Sequence, residues 1–277
     1  MGRGKGSTLI ILLGALALGH PGVGEAQLVL YDNFSSGLID PTKWFGTDGT
    51  GGVANPSTEA ERLIKFGRLE MRLNQYGLST SDSGSTTGLV HLRVTNPAPI
   101  TTIQASVTVL SGEADACPTN TSGAAFTARA EVTGNFFNDG SSTGAGDLTG
   151  DIFARVGLAV DATAGDVIQA AVTRCSNPAC SSSSFVGSLQ TFTGGWTINK
   201  PQTLTLSWDV ANKQFVFSAQ PSRGSVESHS IPYTLSDSSP SGGPTKALRI
   251  FNSAANCNGS QLHAFMDAMF DNVMVNP

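Results

Sequence analysis

The sequence predicts an all-β fold, a two-sheet antiparallel β-sandwich, and three observations support this prediction. The 277-residue chain has 32 glycines and only 13% charged residues, so turn formers are frequent between short apolar runs. Along many of these runs apolar and polar side chains alternate, which is the period of a strand with one face on a core. No stretch keeps a helical period for three turns. The resulting pattern, roughly a dozen short strands with a turn about every 8 to 12 residues, is typical of a sandwich.

The two ends of the chain that follows the leader are expected to pair with each other. Leu262 to Asn276 alternates apolar and polar residues and is predicted to be the closing strand. Leu28 to Trp44 opens with a similar alternation and contains a turn at Asp40-Pro41. If these ends are neighbours, the segments between them fold back and forth as antiparallel strands.

The segments between the two ends are predicted to be strands joined by polar turns. Residues 58–65 could form a helix, because Thr58 and Glu61 have capping-box spacing. A strand is preferred, because a turn at Phe66-Gly67 and a clear alternation at 69–73 complete a hairpin. Segments 111–123 and 135–150 are expected to be loops. Further strands are predicted at 89–94, 100–110, 126–133, 152–160, 167–174, 185–192, 203–210, 215–219 and 247–251.

The first 26 residues have the features of a secretory signal peptide. Arg3 and Lys5 give a positive start, Leu9 to Leu18 is apolar, and small Gly24 and Ala26 precede the expected cleavage site. The apolar run is too short to cross a bilayer, which takes about 17 to 25 residues. The prediction is a signal peptide at 1–26 and one sandwich domain at 27–277, with no membrane span after cleavage. The expected location is secreted, either extracellular or periplasmic.

Four cysteines, Cys117, Cys175, Cys180 and Cys257, suit that location, because exported thiols usually oxidise. Of the three possible connectivities, the economical one closes a small loop between Cys175 and Cys180 and leaves Cys117 for Cys257. A metal site is the rival interpretation, but no histidine lies at ligand spacing from any of these cysteines. Disulfides are therefore expected.

The charge distribution argues against nucleic acid as a partner. The formal net charge is -5, and the 16 lysines and arginines are scattered along the chain.

Several phrases of the sequence resemble concanavalin A-like, laminin-G-like jelly-roll domains. They are the opening at 31–34 and 40–44, the middle phrase at 204–217 with its Trp-Asp pair and Asn-Lys turn, and the close at 270–273. The resemblance spans nearly the whole mature chain and implies a jelly-roll sandwich. Lectins, glycosidases, lyases and adhesion modules share that fold, so the resemblance alone does not imply one activity.

The glycosidase pattern of such domains is incomplete here. Laminarinase-like members carry Glu-x-Asp-x-x-Glu on one strand, so that two carboxyl groups flank the scissile bond. Glu113-Ala114-Asp115 begins that pattern, but Pro118 stands where the second glutamate should be. No catalytic carboxylate pair is predicted.

The lyase pattern is also partial. Alginate-lyase-like jelly rolls use His or Tyr to abstract a ring proton, while Arg and Gln neutralise the uronate carboxylate. The strand from Arg68 to Arg72 and the phrase Gln261-Leu262-His263 resemble two of their strands, but no Tyr-x-Lys strand is present. An alternative for the arginines is the solvated face of an amphipathic strand. No nucleophile elbow or metalloprotease motif occurs either, so no catalytic residue is predicted.

Sugar binding is the remaining class of function. It typically uses an exposed aromatic ring as a stacking platform, with amides and carboxylates around it. The candidate ligand-binding residues are Trp196 in its Gly-Gly-Trp turn, Tyr76 and Trp44, with a core position as the alternative for the tryptophans. The expected partner is a glycan or a cell-surface polysaccharide. The predicted function is a secreted, non-catalytic carbohydrate-recognition or surface-interaction module. The alternatives are a glycan-active enzyme (a polysaccharide lyase or glycoside hydrolase) and an extracellular structural protein.

No cofactor is expected apart from one option, a structural calcium ion. Jelly rolls that bind sugars often hold Ca²⁺ in oxygen-rich loops, and Asn138, Asp139, Asp147 and Asp151 supply oxygens. Turn formation is the alternative role of these residues, and the EF-hand spacing is absent.

Overall fold

A computed structural model describes residues 27–46, 58–123 and 125–276. The predicted signal peptide and its cleavage site lie outside the described residues. Within the described ranges the chain forms strands and no helix, and thus no helix long and apolar enough to cross a membrane. The strands described are β1 (Val29–Asp32), β2 (Trp44–Phe45), β3 (Thr58–Lys65), β4 (Arg68–Tyr76), β5 (Ser85–Val94), β6 (Thr102–Ala114), β7 (Thr127–Asn138), β8 (Asp151–Asp161), β9 (Gly165–Cys175), β10 (Ser183–Phe185), β11 (Gln190–Thr191), β12 (Gln202–Asp209), β13 (Gln214–Pro221), β14 (Glu227–Pro232), β15 (Thr245–Ala255) and β16 (His263–Val275).

These strands form two antiparallel sheets, as predicted. The first sheet has the order β14-β13-β12-β6-β16-β4-β3, with β1 paired to β16. The second has the order β10-β9-β8-β7-β15-β5-β2, with β11 paired to β9. The chain crosses between the sheets repeatedly, for example from β4 to β5 and back to β6, so strands distant in sequence become neighbours. The architecture is a jelly-roll β-sandwich.

The predicted pairing of the two ends is confirmed. Val29 pairs with Val275 and Leu30 with Met274. The ladder between β16 and β4 ends at Phe270, so β1 takes the place of β4 beside the last residues of β16.

One apolar core lies between the sheets, and strand alternation fills it. From the first sheet, Leu69, Met71 and Leu73 are completely buried, and Val156 and Leu158 face them from the second. The β3–β4 hairpin also has the predicted form, with Phe66 and Gly67 at positive φ in its turn. Segment 58–65 is therefore a strand and not a helix.

Three segment predictions are corrected by the structure. The expected loop at 111–123 begins as strand, because β6 stays paired with β16 as far as Ala114. The expected loop at 135–150 also begins as strand, because β7 continues through a bulge to Asn138. The strand expected at 185–192 is only the two short strands β10 and β11. Edge strand β14 was not predicted, because Ile231 is its one buried residue.

Candidate functional site

The two tryptophans predicted as sugar platforms are core residues. Trp44 is 2% exposed, and its indole N–H donates to Asp32 Oδ2 at 2.7 Å. Trp196 is 5% exposed, and its N–H donates to the carbonyl of Ala159 at 3.1 Å. A stacking platform needs an exposed ring face. Neither tryptophan can therefore serve as a sugar platform, and packing in the core explains the positions of both.

Tyr76, the third predicted residue, is partly exposed on the outer face of the first sheet. It ends β4, and alternation from the buried Leu73 points its ring away from the core. Its direct cross-strand partner is His263 of β16, with ring centroids 6.2 Å apart and planes at 35°. Asn74 Nδ2 donates to the tyrosine hydroxyl at 2.7 Å. The structure thus brings an aromatic ring, an imidazole and an amide together.

Carboxylates surround this group. Asp115 Oδ2 lies 2.9 Å from His263 Nδ1, and Glu113 Oε2 lies 3.5 Å from Nε2 of the same ring. Asn74 Nδ2 also donates to Glu59 Oε2 at 3.1 Å. We call the surface formed by Tyr76, Asn74, His263, Asp115, Glu113 and Glu59 the tyrosine face. It offers one ring and several donors and acceptors, which is the set that sugar recognition uses.

Next to the tyrosine face, Arg72 is occupied by carboxylates. Its Nη2 donates to Asp267 Oδ2 at 2.8 Å and to Glu70 Oε1 at 3.1 Å, and its Nη1 lies 3.5 Å from Glu61 Oε2. The hydrogen bond and the charge of Asp267 raise the pKa of Arg72. Burial raises the pKa of Asp267, and Arg72 opposes this without cancelling it. The side chains of Glu70 and Asp267 are only 2% and 9% exposed, so Arg72 and Lys65 cover both carboxylates.

The outer face of the second sheet carries a cluster that the sequence did not predict. Glu131 of β7 is completely buried, and Arg249 of β15 donates to its Oε1. Arg129 Nε lies 3.3 Å from Glu131 Oε2, and Arg155 Nη1 lies 3.9 Å from it. We call Glu131 with these three arginines the arginine face. Arg249 is 118 residues from Glu131 in the chain, so only the β7–β15 register reveals the cluster.

The charges of the arginine face act on one another strongly. Burial favours a raised pKa for Glu131, but the guanidiniums of Arg249, Arg129 and Arg155 outweigh it and hold that pKa below its ordinary value. Burial, followed by repulsion from Arg129, lowers the pKa of Arg155 to about 9. These three guanidiniums therefore favour the ionised form of Glu131.

His91 lies beside this cluster, as the cross-strand partner of Arg249. Burial is the main cause that lowers its pKa to about 4, with help from Arg93, Arg249 and Arg62. At neutral pH the imidazole is uncharged, so it adds hydrogen-bonding capacity to this face and no positive charge.

Both predicted disulfides are present. Cys117 is bonded to Cys257 and Cys175 to Cys180, so no cysteine is free. All four sulfur atoms form disulfide bonds, so the cysteines do not offer the thiolates that the alternative interpretation, a cysteine metal site, requires.

The carboxylate oxygens considered for calcium accept hydrogen bonds from other groups of the protein. Asp151 accepts hydrogen bonds from the side-chain amides of Asn135 and Asn138 and from the backbone N–H groups of Ser241 and Gly242. The other two carboxylates are similarly engaged, Asp139 by the guanidinium of Arg174 and Asp147 by Thr143 and Thr149. Because N–H and O–H donors occupy these oxygens, the loop is stabilised by its own hydrogen bonds.

The comparisons with known proteins concern the fold. No protein-family model matches the sequence, and no curated protein matches it. The winged bean acidic lectin complexed with methyl-α-D-galactose is similar in structure, with a TM-score of 0.44 and 13% identity over 91% of this chain and 99% of the lectin. A legume lectin-like domain from Entamoeba histolytica has a TM-score of 0.36 and 11% sequence identity, covering 88% of this chain and 98% of that domain. An alginate lyase has a TM-score of 0.39 and 10% sequence identity, covering 90% of this chain and 97% of the lyase. Lectins and lectin-like domains are thus among the structures similar to this jelly-roll sandwich.

Proposed function

We propose that the protein is an exported, non-catalytic carbohydrate-recognition module that binds a glycan on the tyrosine face. The observation that carries this proposal is the environment of Tyr76. Of the three aromatic residues considered, it is the one with an accessible ring, and Asn74 and His263 stand within reach of a sugar on that ring.

The proposal follows from the surface chemistry of a sugar. One side of a pyranose ring is a sheet of C–H groups, which packs on an aromatic ring, whereas its rim carries hydroxyls that both donate and accept. The Asn74 amide and the carboxylates of Glu59, Glu113 and Asp115 supply the complementary groups at the rim of Tyr76. The Asn74 hydrogen bond and the contact with the His263 ring orient Tyr76, which reduces the entropy lost on binding.

The disulfides support the exported location. Disulfide bonds persist in oxidising compartments and are rare in the cytosol. Cys117–Cys257 and Cys175–Cys180 therefore fit a protein that works outside the cytoplasm.

The two carboxylates that share Arg72 are covered, which disfavours them as a hydrolytic pair. A glycosidase needs two carboxyl groups that reach the scissile bond. Glu70 and Asp267 are close enough to share Arg72, yet both side chains are nearly buried and the guanidinium stands over them. A sugar on this face meets Arg72 before it meets either acid.

A polysaccharide lyase is the second candidate, because the structure brings two of its strand motifs together. β4 carries Arg68 and Arg72, and it pairs with β16, whose first residue His263 lies opposite Tyr76. A lyase also needs an arginine free to neutralise the uronate. Here Arg72 is held by carboxylates, and Arg68 Nε lies 3.6 Å from Asp271 Oδ2. Binding is therefore the better-supported function.

A glycan array on the secreted protein, followed by affinity measurements on its best ligand, tests the proposal. Tyr76→Ala should weaken binding about tenfold or more, since the loss of a ring contact worth about 1.4 kcal/mol corresponds to a factor of ten. Phe66→Ala removes an aromatic ring that is 87% exposed at the other end of β4, and it should bind like the wild type. No binding on the array, or equal affinities for Tyr76→Ala and Phe66→Ala, would refute the proposal.

The lyase candidate has its own assay. Alginate and pectate are incubated with the protein, and the absorbance of unsaturated uronate products is followed. The binding proposal expects no increase. An increase that is abolished in both His263→Gln and Tyr76→Phe would establish the lyase and overturn the non-catalytic assignment.

A further inference from the structure

The arginines of the two sheets differ in how their charge is compensated. On the outer face of the first sheet, Arg72 alone contacts three carboxylates. On the outer face of the second sheet, three arginines, Arg129, Arg155 and Arg249, share the single carboxylate of Glu131. The three arginines therefore outnumber the one carboxylate that they contact by two, and Asp161 is a further acid that acts on Arg129.

Two arginines of the second sheet also have a buried N–H group that forms no hydrogen bond. Arg155 Nη1 and Arg93 Nε are shielded from solvent and form no hydrogen bond, and Glu131 Oε2 lies 3.9 Å from Arg155 Nη1. Most buried polar groups in folded proteins are paired, and a charged donor without an acceptor is costly. The side chains of Arg129 and Arg155 are only 11% and 12% exposed, so water does not readily substitute. These donors favour a ligand that brings oxygen acceptors and negative charge.

Small residues line the sheet beside the arginines. Glu131 lies opposite Gly157 of β8, which lies opposite Gln169 of β9. Ala159 and Ala171 occupy outward positions next to this row and are covered, with 0% and 1% of their surface exposed. The Arg249 side chain is 22% exposed, so a ligand would reach the cluster from solvent at Arg249. At Gly157 the space is taken by Glu131, because a Cβ there would lie 2.7 Å from Glu131 Cβ.

We propose that the arginine face is a second binding site, which takes an oxyanion group, a carboxylate or a sulfate, of an acidic glycan. Guanidinium groups bind both oxyanions through paired N–H donors, and an anion here offsets the excess charge of Arg129, Arg155 and Arg249. The glycan part of this inference rests on the proposed function, whereas the oxyanion part rests on the arginines alone.

Thermal melting at constant ionic strength tests the site. The secreted protein is titrated with sodium sulfate, sodium glucuronate, sodium chloride and glucose. Sulfate stabilises proteins generally, so the diagnostic quantity is a saturable rise in Tm that depends on the arginine face. We expect this rise with sulfate, with glucuronate or with both, and not with glucose or chloride. The comparison of the two active arms identifies which oxyanion the site prefers.

Variants assign the effect to named residues. Arg155→Gln and Arg129→Gln should each weaken the apparent affinity at least tenfold, and Arg155→Lys should retain part of it. Arg223→Gln, at an exposed loop arginine, is the matched control and should respond like the wild type. Without added anion, Arg155→Gln should melt at or above the wild-type temperature, because it removes a repelling charge from Arg129 and Arg249.

Three results would overturn the inference: a response to glucose equal to that to glucuronate, the same saturable response in Arg155→Gln and Arg129→Gln as in the wild type, or no saturable response to either oxyanion. If Arg155→Gln does not fold, the apparent affinities of Arg155→Lys and Arg129→Gln for the oxyanion test the inference instead. Failure here leaves the Tyr76 test untouched, so the loss of the oxyanion site and the loss of the proposed function can be told apart.

Discussion

The side-chain amide of Asn252 donates a hydrogen bond to the backbone carbonyl of Ala264 at 2.8 Å, across the apolar core. The same amide nitrogen also donates to the carbonyl of Leu73 at 2.8 Å. Asn252 belongs to β15 of the second sheet, whereas Ala264 and Leu73 belong to β16 and β4 of the first. A completely buried polar group thus joins the two sheets directly, where apolar contacts alone would allow them to slide.

Asn252→Ala should lower the free energy of unfolding by about 2 to 4 kcal/mol, because it removes two buried hydrogen bonds and leaves a cavity. Denaturant unfolding followed by tryptophan fluorescence measures the change. Asn258→Ala, at an exposed turn position, is the control and should stay within about 0.5 kcal/mol of the wild type. An equally small effect at Asn252 would show that the link between the sheets adds little to stability.

The two disulfides should contribute unequally to stability. Cys117–Cys257 spans 140 residues and Cys175–Cys180 spans 5, so loop-closure entropy predicts losses of about 5 and about 2 kcal/mol when each is removed. Paired Cys→Ala variants, compared by denaturant unfolding, give the two values. If removal of the short-loop disulfide proved the more destabilising, loop entropy would not explain their contributions.

Much of the fold could be predicted because strand alternation is a local signal. Leu69, Met71 and Leu73 alternate with charged residues, and that pattern alone placed them in the core. The same signal failed for β14, an edge strand with few buried residues. The end of β6 was missed for a related reason, because its last residues are held as strand by pairing with β16 and not by their own sequence.

The candidate sites were less predictable because they depend on register and side-chain direction. Nothing local distinguishes Trp196, whose ring turns inward to Ala159, from Tyr76, whose ring faces out. Arg249 and Glu131 each read as one charged residue on the polar side of a strand. Their contact exists because the β7–β15 ladder sets them opposite each other, which no periodicity reveals.

The carboxylate of Glu227 should make stability depend on acid pH. The backbone N–H of Thr193, followed by His229, the Thr193 hydroxyl and the N–H of Gly194, lowers the pKa of Glu227 to about 2. Its ordinary value is 4.5, so this contribution to stability is fully present above that pH and is lost as the pH falls through about 2. Glu227→Gln should flatten the wild-type loss of stability in this window, as measured by unfolding at several pH values.

Asp166→Asn, at an exposed position at the start of β9, provides a control for the change of net charge. It should leave the acid profile close to that of the wild type. If Glu227→Gln and Asp166→Asn shifted the profile equally, the hydrogen bonds to the segment at 193–194 would not be the cause.

Lys246 should make the protein more stable as the pH rises above neutrality. Its side chain is 1% exposed, with Nζ 3.9 Å from the centre of the Phe136 ring and 3.3 Å from the carbonyl oxygen of Asn135. Burial lowers the pKa of Lys246 to about 7 from an ordinary 10.5. Between these values the unfolded chain binds more protons than the folded one, so stability increases from about pH 7 to about pH 10.5.

Lys246→Met keeps the length of the side chain without the charge. It should raise the free energy of unfolding at pH 7 by about 1 to 3 kcal/mol and remove this slope, whereas Lys200→Met, at an exposed lysine, should do neither. Equal slopes in the wild type and Lys246→Met would mean that the buried amine keeps its proton in the folded protein, held by the ring of Phe136 and the carbonyl of Asn135.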